Sequence, residues 1–419
     1  MAKTLFRRVG IFDGTGSAPF QGSVLVDGPR IAAVDRDLVA DADTQTIDGA
    51  GATLMPGLTD AHAHLALGST IHQISKPLDR SDEETALLIA HCGRVFLDCG
   101  FTSAYSGGSG SPRAEIAAKK AFEANWVPGP RLRTSSFERV PGGPMGLRVK
   151  FPGAASRPSQ IDDVVGFVKE MAALGVESVK FLLNGVSAFD PGSNAGEQFH
   201  DEEIVAAAEA ARSAGLHMTA HCYTPHAIRL AVQNGFRMLY HCNYADDASI
   251  EAIASCKAEI FVSPAPGIVE ADLLRGPKFG IMASPPQRKE QEELAERIRT
   301  SAIAMRRRGL KLVPGGDFGF PWNPIGRNAR DISLFVEWFG FSPAEALSAA
   351  TRTGGEVMGM GSELGLVKEG YLADLLLVRG DPTREIQILE NPDNLIAVMK
   401  DGRFHKAPAL RPVPEVGAG

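Results

Sequence analysis

His62 and His64 stand two apart in the run Met-Pro-Gly-Leu-Thr-Asp-Ala-His-Ala-His at residues 55–64, and on an extended segment two such side chains project from the same side. Two neutral imidazoles so placed can share one cation. Single residues of ligand type recur downstream, each in or at the end of an apolar, β-rich segment. They are Lys180 in Ser-Val-Lys-Phe-Leu-Leu, His221 in His-Met-Thr-Ala-His-Cys-Tyr, His241 in Met-Leu-Tyr-His-Cys-Asn and Asp317 in Lys-Leu-Val-Pro-Gly-Gly-Asp. Taken singly, each reads as a structural or solvated residue; their recurrence at successive strand ends is what points to a metal centre. Imidazole and oxygen donors suit zinc, with manganese or cobalt as substitutes. Tyr223 and Asn243 lie two beyond His221 and His241, so continued extended geometry turns both toward the same mouth.

Positioning these residues requires parallel strands that end together. Strand candidates are 54–62, 101–106, 131–136, 178–183, 217–223, 237–242, 259–263 and 311–315, each followed by amphipathic helical stretches such as 201–214 and 291–308. Eight such units favour a closed (β/α)8 barrel, with candidate ligands at the C-terminal ends of the strands. An open doubly wound sheet is the runner-up, and no glycine-rich phosphate loop follows the first strand. Residues 5–53 read as short strands, with Asp27-Gly28-Pro29-Arg30 as a hairpin turn; near the other end Leu375–Val378 and Leu395–Met399 precede and flank a second turn, Lys400-Asp401-Gly402-Arg403. Neither end closes its own core. The expectation is therefore a small β-sandwich domain built from 1–55 and 360–410, and a barrel domain over 56–359. Segments 137–160, 184–200 and 265–289 are expected as long loops around the substrate mouth.

The order and context of these residues resemble the amidohydrolase superfamily, in its imidazolonepropionase-like dipeptidase and aryl-amidase branch. Branch features are visible in Gly315-Gly316-Asp317, Asn328-Ala329-Arg330-Asp331 and Gly370-Tyr371-Leu372-Ala373-Asp374. The resemblance implies two divalent metals: His62, His64 and Asp317 at one, His221 and His241 at the other, and Lys180, carboxylated on its amine, bridging them. An ammonium cannot bind a cation, whereas a lysine carbamate offers two anionic oxygens. Such a pair supplies hydroxide near neutral pH. Asp317 is the implied proton acceptor that passes the proton to the departing nitrogen, and Tyr223 is the implied catalytic and substrate-reaching residue. One departure is visible: dipeptidases of the branch carry Gly-Gly-His where this chain has Gly142-Gly143-Pro144, and proline has no donor for a substrate carboxylate. Arg139, Arg148 and Lys150 are the candidate replacements. The aromatic run Phe318-Gly319-Phe320-Pro321-Trp322 beside Asp317 points instead to an apolar or aromatic group, with Phe318, Phe320 and Trp322 as candidate contacts, joined by Asn243.

A length of 419 residues with 44% hydrophobic content suffices for a large core, and a formal charge of -7 without a long basic cluster argues against nucleic acid as a partner. The basic run Arg306 to Arg308 reads as a solvated helix end. No apolar stretch spans a membrane and no signal-like start is seen, so the expected setting is cytoplasmic, with a small-molecule substrate and a homo-oligomeric state by family analogy. Five cysteines without a Cys-x-x-Cys motif read as reduced thiols, with Cys222 and Cys242 pointing away from the metals into the core. His200 and His226 border the expected mouth; His72, His91, His217 and His405 lie outside the motif.

The expected activity is hydrolysis of an amide, urea or carbamate C–N bond in a small apolar or aromatic compound. The alternatives are a cyclic amide or imide ring hydrolase or deaminase, an Xaa-Pro-type dipeptidase and, from another class, a non-catalytic scaffold relative. Lys180 disfavours the mononuclear ring hydrolases, and retention of every ligand disfavours the scaffold.

Overall fold

The computed structural model describes residues 3–75, 80–145 and 150–408. Strands from the two ends of the chain form one continuous eight-stranded sheet. Its order is Arg403–Lys406, Leu395–Lys400, Leu375–Arg379, Ala52–Pro56, Thr4–Ile11, Phe20–Asp27 and Arg30–Asp35, with Gln45–Asp48 also paired to Thr4–Ile11. Alternating residues fill a separate apolar core that includes Phe6, Val9, Val24, Leu54, Leu375 and Met399. Both expected hairpin turns form, and they meet: a side chain on Gly402 would collide with the Gly28 carbonyl. Asp374 fixes this corner. It is buried, and Arg131 grips its two oxygens at 3.0 and 3.2 Å while also pairing with Asp401. That bidentate contact gives the Gly370–Asp374 motif a structural reason: it fastens the terminal sheet to the strand that carries Arg131.

The parallel strands occupy two further sheets. One contains Leu58–Ala63, Phe101–Ser106 and Arg131–Arg133; the other runs Gly143–Pro144, Ser135–Val140, Ser178–Leu182, His217–Cys222, Met238–His241, Phe261–Ser263 and Lys311–Leu312. Neighbours pair in parallel except Gly143–Pro144, which folds back antiparallel on Val140 and Arg139. Arg131–Arg133 continues into Ser135–Val140 after Thr134 alone. At the opposite margins the Ala61 amide donates to the Pro314 carbonyl at 2.9 Å, and Ala63 bridges Phe318. Helices alternate with these strands and bury one stripe against them, as Ile204, Ala207, Ala208 and Ala211 do on Asp201–Ser213.

Three sequence expectations change. The strand expected over 54–62 breaks at Gly57, its first part joining the terminal sheet and its second the parallel one. Gly57 packs so closely on Thr102 that any side chain there would overlap it. Segment 265–289 is mostly helical: Pro266–Leu274, a 3-10 turn at Gly276–Phe279, then Pro285–Arg307, which begins before the expected Gln291. Pro266 and Pro285 open helices, where a missing N–H costs nothing. The last strand is only Lys311–Leu312, because Pro314 and the glycines after it turn the chain. Among the described residues no helix is long and apolar enough to cross a membrane.

Candidate active site

His62 lies near the end of Leu58–Ala63 with His64 just beyond it, Lys180 lies inside Ser178–Leu182, and His221 and His241 lie at the ends of their strands. Asp317 follows the last short strand with φ 59°, a left-handed backbone held by Asn323, whose Nδ2 donates to the Gly316 and Asp317 carbonyls at 2.8 and 2.9 Å. All these side chains converge. His64 Nε2 is 3.1 Å from Asp317 Oδ1 and His62 Nε2 is 3.9 Å from it. Lys180 Nζ is 3.3 Å from His62 Nε2. The rings of His62 and His241 are 5.4 Å apart, and those of His221 and His241 4.5 Å. Side chains on Gly107 or Gly315 would collide with His62, so both glycines are required by the close approach.

The electrostatics favour neutral ligands. Burial, with the Lys180 charge adding to it, pushes His62 well below the usual imidazole range and His221 down to about 3. His241 is also well below that range, through burial and then His221. For His64, burial is outweighed by Asp317 and the net direction is upward. Burial lowers Lys180 to about 8, although Glu138 and Asp317 oppose it. His64 Nδ1 donates to the Gly108 carbonyl at 2.9 Å, so it is Nε2, facing Asp317, that would give up its proton to serve as a ligand.

The donor set fits metal ions. His62 Nδ1 and His241 Nδ1 are buried without any hydrogen-bond partner, and Asp317 Oδ1 meets only the approach of His64 Nε2 at 3.1 Å. Buried polar atoms are rarely left unpaired. Single ligand atoms of His62, His241 and Asp317 lie within 4.8 Å of one another, a spacing one cation spans.

These residues form the floor of a cleft lined also by Met145, Leu182, Val186, Phe189 and Ile268, an apolar surround around a few polar groups. Tyr223 lines it, its ring 4.4 Å from that of His221, with burial holding the phenol well above its usual range and therefore neutral. Phe320 and Trp322 stack at 5.0 Å to form one wall. Behind Trp322, Asp272 accepts from its indole N–H at 2.7 Å and from Gln291 at 2.9 Å; burial raises Asp272 to about 8.

Other expected contacts are not brought to the cleft. Phe318 is buried in the apolar core. Arg139 turns away to pair with Asp163 and lie over Phe167. Arg148 lies outside the described residues. Lys150 pairs with Asp190 at the surface. Pro144 is exposed, although its neighbour Met145 lines the cleft. Asn243 is buried with both amide atoms unpartnered and does not line the cleft. The reason is local: His241 and Cys242 have φ of 74° and 54°, so the alternation that was to carry Asn243 inward ends at His241. The same break brings in Tyr240, whose ring stacks on His62 at 3.8 Å and lies 3.7 Å from Lys180 Nζ. His200 and His226 bond the Arg157 carbonyl and Asp201. Cys222 and Cys242 are free and buried in the core, Sγ to Sγ 3.9 Å.

Sequence reading missed two further acids. Asp60 accepts from the His62 amide at 2.9 Å and from Asn328 Nδ2 at 2.6 Å. Glu138 lines the cleft beside Lys180. The motif Asn328-Ala329-Arg330-Asp331 gains a role through its ends, since buried Asp331 accepts from the amides of Gly315 at 2.9 Å and Gly267 at 2.8 Å. Asp331→Asn must turn an NH2 toward one of these donors. The variant is expected to lose about 1–3 kcal/mol, read as a lowered Tm with reduced metal retention; an unchanged melt would show that the Asp317 turn needs no such clamp.

A model of the amidohydrolase family matches residues 53–404, which span every element described around the cleft. The chain belongs to the amidohydrolase family. It is an enzyme, a hydrolase acting on C–N bonds. Relatives include ochratoxinase of Aspergillus niger, 26% identical over 383 residues, covering 86% of this chain and 77% of that protein. Imidazolonepropionase of Rubrobacter xylanophilus is 26% identical over 432 residues, covering 92% and 94%. Among solved structures, an Xaa-Pro dipeptidase with bound methionine superposes with a TM-score of 0.81 at 22% identity, covering 97% of this chain and all of that one, a likeness of fold.

Proposed function

We propose that this amidohydrolase is a binuclear metal enzyme that cleaves an amide, or the related urea or carbamate bond, of a small substrate bearing an apolar or aromatic group. The observation that carries the reading is the convergence of neutral imidazoles, Lys180 and Asp317, with unpartnered donor atoms, beneath the Phe320–Trp322 wall. His62, His64 and Asp317 would hold one ion, His221 and His241 the other, and Lys180 as a carbamate would lie between them. Zinc suits these donors best, with manganese or cobalt able to replace it. When bound, such ions supply Lewis acidity and hydroxide near neutral pH. Asp317 accepts a proton on its carboxylate and returns it to the leaving nitrogen, which departs poorly without it. The neutral Tyr223 hydroxyl, which lines the cleft beside His221, would donate to the substrate carbonyl oxygen. We also read the two parallel sheets as parts of one closed (β/α)8 barrel over 56–359, supported by the Ala61–Pro314 contact, with 1–55 and 360–410 as a β-sandwich domain.

The cleft disfavours a free C-terminal carboxylate. Among the described residues its lining holds no arginine and no lysine, and Arg139 is engaged elsewhere. An unpaired buried carboxylate costs several kcal/mol, whereas one buried ring contributes about 1.5–3 kcal/mol. An acyl anilide is therefore expected to exceed a free-acid dipeptide in kcat/KM by about tenfold or more, and Trp322→Ala to reduce that margin through KM. The test compares anilides with dipeptides whose C-terminus is free or blocked. A clear win for the free-acid dipeptides would sink this assignment of the pocket and make Arg148 the first suspect.

A further inference from the structure

Glu138 stands directly across from Lys180 in the parallel pairing of their strands, and its carboxylate lines the cleft with Oε1 3.8 Å from Lys180 Nζ. Gly108 makes room for it, since a side chain there would overlap the Glu138 methylenes. Among the described residues Lys180 is its one ion-pair partner; the neighbouring Arg139 is committed to Asp163. The lining holds two other carboxylates, Asp272 and Asp317, and both have roles: Asp272 braces Trp322 and Asp317 faces the histidines. Glu138 has none. Once Lys180 becomes a carbamate, as the proposed function requires, the ammonium paired with Glu138 is gone, and the cations that bring positive charge to the site are assigned to the carbamate, the histidines and Asp317. The Glu138 carboxylate, which lines the cleft, is then free to accept from a cationic or N–H donor of the substrate.

We propose that Glu138 is a specificity residue that binds a protonated amine on the acyl side of the substrate, so that the preferred class is an α-aminoacyl arylamide. This rests on the hydrolase reading above. The α-nitrogen of such a compound is only about 2.5 Å from the scissile carbonyl carbon by covalent geometry, so it stays close to the group being attacked. Glu138 pairs with Lys180, whereas Phe320 tilts against His64 at 6.4 Å and stacks on Trp322. The site thus sorts the two substituents of the carbonyl, the amine toward Glu138 and the ring toward the aromatic wall.

The test uses L-leucine p-nitroanilide and 4-methylpentanoyl p-nitroanilide, which differ only in the amino group, with metal-loaded wild type, Glu138→Gln and Glu138→Asp. Calorimetry measures binding of the matching ketones, in which CH2 replaces the amide nitrogen and nothing can be hydrolysed. Wild type is expected to favour the amino compound by about ten- to a hundredfold in both kcat/KM and affinity. Glu138→Gln should lose that preference, mainly through KM for the amino compound, with its metal content kept, and Glu138→Asp should restore part of it. No preference in wild-type binding, or its survival in Glu138→Gln, overturns the proposal. So does loss of metal from Glu138→Gln, which would make Glu138 a ligand instead. If the ketones bind with the expected preference while neither anilide is cleaved, the hydrolase reading fails and the Glu138 assignment stands.

Discussion

Asp317→Asn is expected to lower turnover by about 10²–10⁴-fold while the protein keeps its fold and most of its metal. The substitution suits the backbone: Asp317 sits at φ 59°, and asparagine is among the few residues that enter the left-handed region readily. Asn323 holds the Asp317 carbonyl, and Gly316 before it packs against Asp331 and Phe318, so the turn does not depend on the carboxylate. The amide also keeps one oxygen able to face a cation. What it loses is basicity. No other acid takes over readily, since Asp272 is already bonded to Trp322 and Gln291, and Glu138 is paired with Lys180. The decisive measurement is kcat on samples whose metal content matches wild type. Activity within about threefold of wild type, far less than a general acid–base group contributes, would remove the proton-transfer role from Asp317.

The candidate ligands were legible in the sequence because each lies in or beside a short apolar strand, where period-two alternation assigns the facing side chain. That reasoning holds for His62 with His64 and for His221 with Tyr223, which share the cleft. It fails at His241, where the left-handed backbone turns Asn243 away and leaves Tyr240 against His62 and Lys180. A positive φ at histidine and cysteine has no sequence signature, unlike one at glycine. Glu138 was hidden for another reason: Ser135–Val140 alternates poorly in polarity, so the inward face cannot be chosen without knowing that Lys180 pairs with it. Arg139 was preferred as a charged neighbour, and it is the residue that faces outward to Asp163. The Pro266 helix and the first residues of the Pro285 helix fall in a stretch that reads as loop because proline and glycine crowd it, although each proline occupies a helix start. Long-range pairs such as Arg131 with Asp374 join elements far apart in the chain, beyond any local pattern.

Lys180→Ala is expected to abolish binding of at least one of the two proposed metal ions and reduce turnover to background. Lys180 is fully buried, and its amine rests against the Gly107 carbonyl at 2.8 Å, His62 at 3.3 Å and the face of Tyr240 at 3.7 Å. A protonated amine in that position opposes any cation brought to the histidines, so the wild-type side chain helps metal binding only after it has become an anionic carbamate. Burial assists that conversion by lowering the lysine to about 8, which exposes a nucleophilic amine near neutral pH. Alanine removes both the ammonium and the carbamate, and the two losses separate cleanly. Loss of the ammonium alone would ease metal entry and raise affinity; loss of the carbamate oxygens lowers it. Metal analysis on the purified variant, with native mass measurement of a CO2 adduct on wild type, distinguishes them. A short carboxylic acid that fills the vacated space should restore part of the metal binding, because it returns the missing oxygens without the amine. A Lys180→Ala protein that holds two equivalents at wild-type affinity would mean that the oxygen bridge comes from elsewhere, with Glu138 the nearest side chain able to provide it.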